Sequence, residues 1–389
     1  MKKTAFREHL ESKILPFWER LKDEEFGGFY GYVDEELRTD PKADKGCILN
    51  SRILWTFSTA AKALGREDLR PYADHAYAFL KRFLDPEHGG VYWSVTYDGK
   101  PMDTTKHTYC QAFAVYGLAA YFRLTGNREA LQTAKELHHL IETRCRDEGG
   151  YLEALKADFS PESNEKLSEN GVMASRTMNT LMHVLECQAE LYRAEPDEEV
   201  RRAGTEALER FLNVFWNPEK RRLEVFCDNE YRPLLDMQSY GHDIEGSWLI
   251  LDAAEALLGT EKAGAWREMC MGLLESATER AFTDHGISYE IVDGEVNTNR
   301  AWWPQAEAIL GFELGWRLTG DREWLNRIAA QWDYIRRVIV DPREGGEWFN
   351  ELLEDGSSIG KPEAEEWKCP YHNARMCLRM AGSDIPESF

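Results

Sequence analysis

The sequence predicts an all-α protein, an (α/α)6 barrel of six helix-pair repeats with short β-hairpins at Gly-Gly turns, forming one domain over residues 1–389. Three observations predict it. A turn motif recurs at intervals of roughly sixty residues, and segments between its copies alternate between half-wet and wholly apolar helical patterns. The first and last helices also lack partners unless the array closes on itself.

The turn is strongest in DEEFGGFYGYV (23–33), DPEHGGVYWSV (85–95), RDEGGYLEAL (146–155) and DPREGGEWFNEL (341–352). Weaker copies are NPEKRRLEVFC (217–227) and TDHGISYEIV (283–292). In each, an acidic or Asn-Pro cluster ends a helix and glycines supply positive-φ geometry. Alternating aromatic and β-branched residues then read as a short strand or hairpin.

The helices follow in order. Residues 5–21 form a first outer helix. LRPYADHAYAFLKRFL (69–84) and ALQTAKELHHLIETRC (130–145) place apolar residues at i, i+3, i+4 and i+7 against a charged face, as outer helices do. KGCILNSRILWTFSTAAKAL (45–64), TKHTYCQAFAVYGLAAYFRL (105–124) and SYGHDIEGSWLILDAAEALL (239–258) are apolar nearly all round and read as inner helices. YHNARMCLRMA (371–381) is a last inner helix with no successor. An open array needs polar caps at its ends; ring closure instead pairs this helix with the first.

Composition narrows the function. With 47 Lys+Arg against 69 Asp+Glu the formal charge is −22, which repels phosphate backbones and anionic lipid. No nucleic-acid or membrane partner is expected. No apolar run approaches the roughly 18–20 residues that span a bilayer, and charges interrupt the N-terminal stretch where a signal peptide needs a continuous apolar core. The eight cysteines are dispersed without a CxxC pair, as in reduced, cytoplasmic proteins. Thirteen tryptophans point weakly toward sugar rings, whose C–H faces match an indole.

In such a barrel the pocket lies at one mouth, lined by the starts of the inner helices and adjoining loops. Candidates at those phases are Arg52, His107 with Tyr109, Asn179 with His183, His242 with Glu245, Trp302 and Trp303 with Glu307, and Trp367 with His372. A single histidine on a buried helix is usually a satisfied core residue. Three of them, His183, His242 and His372, at similar phases of different repeats favour a shared pocket. His242 and Glu245 stand at i and i+3, either as a local ion pair or as a carboxylate orienting an imidazole. Arg52 lies among apolar residues, where it either bridges to a carboxylate or stabilises charge on a bound oxygen. The Pro after Trp302–Trp303 marks a helix start at a pocket rim. No carboxylate cluster is evident beside the histidines, so no metal is expected. His75, His88, His138, His139 and His285 read as surface.

Together GGFYGYV, ADKGCILNSRILW, DTTKHTYCQAFAVY, LSENGVMASRTMNTLMHVLE, SYGHDIEGSWL, RAWWPQAEAILGF, GGEWFNEL and WKCPYHNARMC resemble the cellobiose 2-epimerases of the N-acylglucosamine 2-epimerase superfamily, in order along nearly the whole chain. The resemblance implies a cofactor-free, reversible conversion of the reducing-end glucose of β-1,4-linked disaccharides to mannose. It implies His242 and His372 as the ring-opening and proton-transfer histidines, His183 as a third pocket histidine, and Arg52 as the family's arginine. Tyr109, Asn179, Glu245, Trp303, Glu307 and Trp367 match further pocket positions.

Epimerisation at C2 needs an open-chain aldehyde, a base for the C2 proton and an enediolate. His372 and His242 are expected to exchange these roles with direction, Glu245 to tune His242, and Arg52 with His183 to hold the enediolate oxygens. Trp303 and Trp367 would stack on sugar rings. Competing readings are an aldose–ketose isomerase, an epimerase of free N-acetylglucosamine, an inverting glycoside hydrolase using Glu245 and Glu307, and a non-catalytic sugar-binding protein. A small-molecule disaccharide is the expected partner, and a monomer the expected state.

Overall fold

The computed structural model describes residues 1–164, 166 and 171–389; the opening LSEN of the LSENGV motif (167–170) lies outside the described residues. Among the described residues, twelve helices alternate between an outer and an inner layer. The outer ones are α1 (4–20), α3 (Arg70–Leu80), α5 (Arg128–Arg144), α7 (Glu198–Arg210), α9 (Gly264–Ala281) and α11 (Arg322–Tyr334). The inner ones are α2 (Cys47–Leu64), α4 (Thr108–Thr125), α6 (Met178–Ala194), α8 (Tyr240–Leu258), α10 (Trp302–Thr319) and α12 (His372–Gly382). Each inner helix packs on the next, and α12 packs on α2, so the ring closes.

The start of α1 runs through a wider turn at Leu10–Ile14 before continuing at Leu15. Pro16 has no N–H to extend the regular ladder, and a local widening absorbs the loss. His138 departs from its surface expectation. It is buried on α5, on the side with Leu137 and Ile141, whereas its neighbour His139 is exposed.

Two recurrent devices hold the hairpins at one mouth. First, the residues entering an inner helix pair antiparallel with the hairpin that follows that helix: Lys45–Gly46 with Ser94–Val95, Arg176–Thr177 with Phe226–Cys227, Met237–Ser239 with Glu290–Val292, and Arg300–Ala301 with Glu351–Leu352. Second, a buried cation stands just before most inner helices and reaches into a Gly-Gly turn. Lys45 Nζ lies 2.6 Å from Asp23, Lys106 Nζ 2.8 Å from Asp85, Arg176 2.6 Å from Asp147, and Lys368 Nζ 2.5 Å from Glu347. The same position is Gln238 before α8, where it bonds Asp243 at 2.8 Å, and Arg300 before α10. Isolated, such buried charges would be costly; paired, they fix where each inner helix begins.

Candidate active site

Counting seven residues on from that position in each repeat reaches Arg52, Phe113, His183, Glu245, Glu307 and Arg375. All six are buried and occupy one layer of the barrel interior. Above this layer opens a cavity of about 370 Å³. Of the twelve candidate residues, ten line it: Arg52, Tyr109, Asn179, His183, His242, Glu245, Trp302, Trp303, Trp367 and His372. Tyr289, Asn350, Glu351, Lys361 and Glu365, from the hairpins and the loop before α12, complete the wall. His107 does not reach it. That side chain is fully buried at the start of α4, its Nε2 3.1 Å from Asn164.

Glu307 also takes a different place from the expected one. It is fully buried behind His372, accepting from His372 Nδ1 at 2.6 Å, from Arg375 at 2.7 Å and from Trp248 Nε1 at 2.9 Å. A carboxylate only accepts, so the proton of the His372 ring sits on Nδ1 and Nε2 is left bare. Burial, then the nearby Arg375 charge, hold this imidazole well below its usual pKa and therefore neutral.

His242 is not tuned by Glu245. Its Nδ1 lies 2.7 Å from the Ser239 hydroxyl, which can donate or accept and so permits either ring tautomer. Burial, with a smaller effect of His183, brings the His242 pKa down to about 3. The rings of His242 and His372 both pack on Trp303, with centroids 4.6 and 5.6 Å away.

Glu245 turns instead to Arg375. One guanidinium donates to Glu186 at 2.6 Å, Glu245 at 2.6 Å and Glu307 at 2.7 Å, and also to the Tyr371 hydroxyl. Glu186 in turn accepts from His183 Nδ1 at 2.9 Å and from Tyr371. Burial would raise the Glu186 pKa, but Arg375 and His183 outweigh it and bring it to about 2. Glu245 goes the other way. Burial and the charge of Glu307 raise it to about 7 against the pull of Arg375. Arg375 thus anchors, through Glu307 and Glu186, two of the three cavity histidines.

Carboxylates therefore do accompany the histidines, contrary to the sequence expectation. Donor atoms of Glu245, Glu307 and His372 lie within 4.8 Å of one another, the one such group among the described residues. Both carboxylates already accept from one nitrogen of the Arg375 guanidinium, at 2.6 and 2.7 Å.

Arg52 makes no ion pair among the described residues. It donates to the Tyr109 hydroxyl at 2.7 Å and lies over the rings of Phe113 and Tyr371 at 4.1 and 4.5 Å. Its Nε has no protein partner. The carboxylate bridge considered from the sequence is absent, so a buried guanidinium keeps its charge uncompensated beside the cavity, suited to an oxyanion.

A family model for N-acylglucosamine 2-epimerase (GlcNAc 2-epimerase) matches residues 28–375. The chain belongs to that family. It is 48% identical to the cellobiose 2-epimerase of Eubacterium cellulosolvens, the alignment covering 99% of both chains. It is 41% identical to that of Ruminococcus albus, over 98% of this chain and 99% of the relative. Among solved structures, cellobiose 2-epimerase from Bacillus thermoamylovorans B4167 superposes with a TM-score of 0.94 at 40% identity, covering 98% of each chain.

Within this N-acylglucosamine 2-epimerase fold, sequence reasoning missed Arg375, Glu186, Tyr371 and Ser239. Arg375 had a readable signal: it follows Lys368 by the interval that separates Arg52 from Lys45. Glu186 stands three residues after His183, the same spacing that drew attention to His242 and Glu245.

Proposed function

We propose that this chain is a cellobiose 2-epimerase, a carbohydrate isomerase that inverts C2 of the reducing-end glucose in β-1,4-linked disaccharides. The observation that carries the reading is the pair of neutral imidazoles, His242 and His372, facing one cavity beside an arginine without a carboxylate partner.

Opening the ring moves a proton from O1 to O5 and exposes the aldehyde that makes the C2 proton removable. His372 takes that proton on Nε2, since Nδ1 is engaged by Glu307. The imidazolium so formed is supported by Glu307, as in a catalytic triad. Arg52, with His183, stabilises the enediolate oxygens. His242, whose serine partner allows either tautomer, passes the proton from O1 to O5 during ring opening and ends neutral. The enediolate then rotates and the His372 imidazolium returns its proton to the opposite face of C2, so both imidazoles finish neutral and the reverse reaction retraces the same steps. Trp303 and Trp367 stack on the sugar, the second ring adding binding energy away from the reacting carbon.

Inverting hydrolysis needs carboxylates roughly 6.5–9.5 Å apart. Donor atoms of Glu245 and Glu307 are within 4.8 Å, share Arg375, and Glu307 does not line the cavity. That geometry speaks against the hydrolase. The aldose–ketose isomerase differs only in returning the proton to C1.

The deciding experiment is NMR of cellobiose incubated with the protein in D2O. Deuterium at C2 with growing glucosyl-mannose is expected. A keto product would transfer the reading to the isomerase, and glucose release would overturn it.

A further inference from the structure

We infer that the opposite mouth of the barrel is a second saccharide-binding site, separate from the cavity that holds the histidines. A cavity of about 300 Å³ opens there, close in size to the first. Its floor comes from the same repeat register. Three residues beyond the layer that carries Arg52, His183 and Glu245 stand Trp55, Glu186 and Trp248, and Tyr116 holds the equivalent place on α4.

The walls combine aromatic faces with charges that neutralise one another. Trp55 and Tyr116 lie parallel, centroids 5.2 Å apart, and Trp248 supports the guanidinium groups of Arg375 and Arg379 at 4.6 Å. At the rim, Arg123 pairs with Glu190 at 2.6 Å, while Arg193 and Arg379 share Asp252 at 2.6 and 2.8 Å. Every guanidinium has its carboxylate, so an anion would meet a negative group beside each positive one. A neutral polyol does not. One hydroxyl of a vicinal pair donates to the carboxylate while its neighbour accepts from the guanidinium, and the apolar C–H face of the ring lies on an indole. The ligand class is therefore a neutral mono- or disaccharide. Arg375 and Glu186 line this cavity and also anchor His372 and His183, so they form the partition between the two sites.

The test is ¹⁹F NMR of the full chain labelled with 5-fluorotryptophan, titrated separately with D-glucose and with cellobiose. Trp55 reports the second cavity; Trp303 and Trp367 report the first. At least one sugar is expected to shift the Trp55 resonance saturably. That response is expected to weaken at least tenfold in Ala63→Phe, which plugs the rim from an exposed position, and in Asp252→Asn, while Trp303 and Trp367 respond as before. The inference is overturned if Trp55 stays still while Trp303 moves, or if the Trp55 shift survives both substitutions unchanged. Silence of Trp303 and Trp367 toward cellobiose would instead count against the proposed substrate of the first cavity.

Discussion

Replacing Glu307 by Gln tests whether His372 is the base and why. The carboxylate accepts from three donors: His372 and Arg375 on Oε1, and Trp248 on Oε2. A glutamine has one oxygen and one NH2, and the NH2 must face a donor whichever way the amide lies. With its oxygen toward His372, the buried Trp248 indole loses its acceptor. With the amide reversed, the NH2 faces His372, and the ring must accept through Nδ1 and carry its proton on Nε2, the wrong tautomer for a base. A buried donor left unmet costs about 1–3 kcal/mol, and a charge-assisted bond to the imidazole contributes about 1.5–3 kcal/mol, much of which is lost. Allowing for partial relaxation, a transition-state loss of about 2–4 kcal/mol corresponds to a ~30- to 1000-fold fall in kcat. The assay is the NMR rate of C2 deuteration of cellobiose, with kcat and KM resolved and Tm measured alongside. KM should move little. The acid limb of kcat/KM should shift to lower pH, because the carboxylate that favoured the imidazolium is gone while burial and Arg375 still oppose it. A folded variant with kcat within fivefold of the parent and an unmoved limb would refute the reasoning.

Three further outcomes follow from the geometry. Arg52→Met should lower kcat by about 10²–10³-fold, as loss of an oxyanion donor does, with KM changing less; equal losses in binding and turnover would assign Arg52 to substrate binding alone. In the parent enzyme the acid limb of kcat/KM should lie below pH 5. Folded-state pKa values lowered by burial, to about 3 for His242, keep both imidazoles neutral until the pH falls through those values, whereas an inflection near the free-imidazole value of about 6.5 would contradict the assignment. Lys45→Met leaves Asp23 buried without its cation and should destabilise the fold by about 3–5 kcal/mol in urea denaturation; a change below about 1 kcal/mol would show that the turn lock contributes nothing.

The ring of helices was legible because its signals are periodic. Gly-Gly turns recur at near-constant spacing, and inner and outer helices differ in how much of their circumference is apolar, so a closed array follows from patterns no single residue carries. The cavity wall was legible for the same reason, since Trp303 and His372 both fall at the starts of inner helices. Side-chain partnerships were not legible. Glu245 is three residues from His242 on one helix, yet the interior lies toward Arg375, 130 residues away in sequence, and the carboxylate follows the stronger charge. Ser239 became the partner of His242 because it sits just before the helix, where its hydroxyl turns back to the ring. His138 was misjudged because i+1 neighbours on an outer helix differ by about 100° in direction, which places one of the His138–His139 pair inward and the other outward.

A sixfold scaffold yields an asymmetric site because its central layer carries two arginines in unlike company. Arg375 meets Glu245 and Glu307 in the layer and Glu186 just beyond, so its charge is consumed in holding carboxylates that hold histidines. Arg52 occupies the corresponding position on α2, but its neighbours are Phe113, Tyr109 and Tyr371, which cover its faces without neutralising it. The first arginine is a structural hub, and the second keeps the charge that the proposed reaction assigns to the enediolate oxygens. Lysine substitution separates the two roles. A lysine at 375 cannot span three carboxylates with a planar fork, so Arg375→Lys should lower stability and turnover together. A lysine at 52 still presents a cation beside the Tyr109 hydroxyl, so Arg52→Lys should keep the fold and part of kcat. If the two variants lost stability equally, the division of labour within this layer would be wrong.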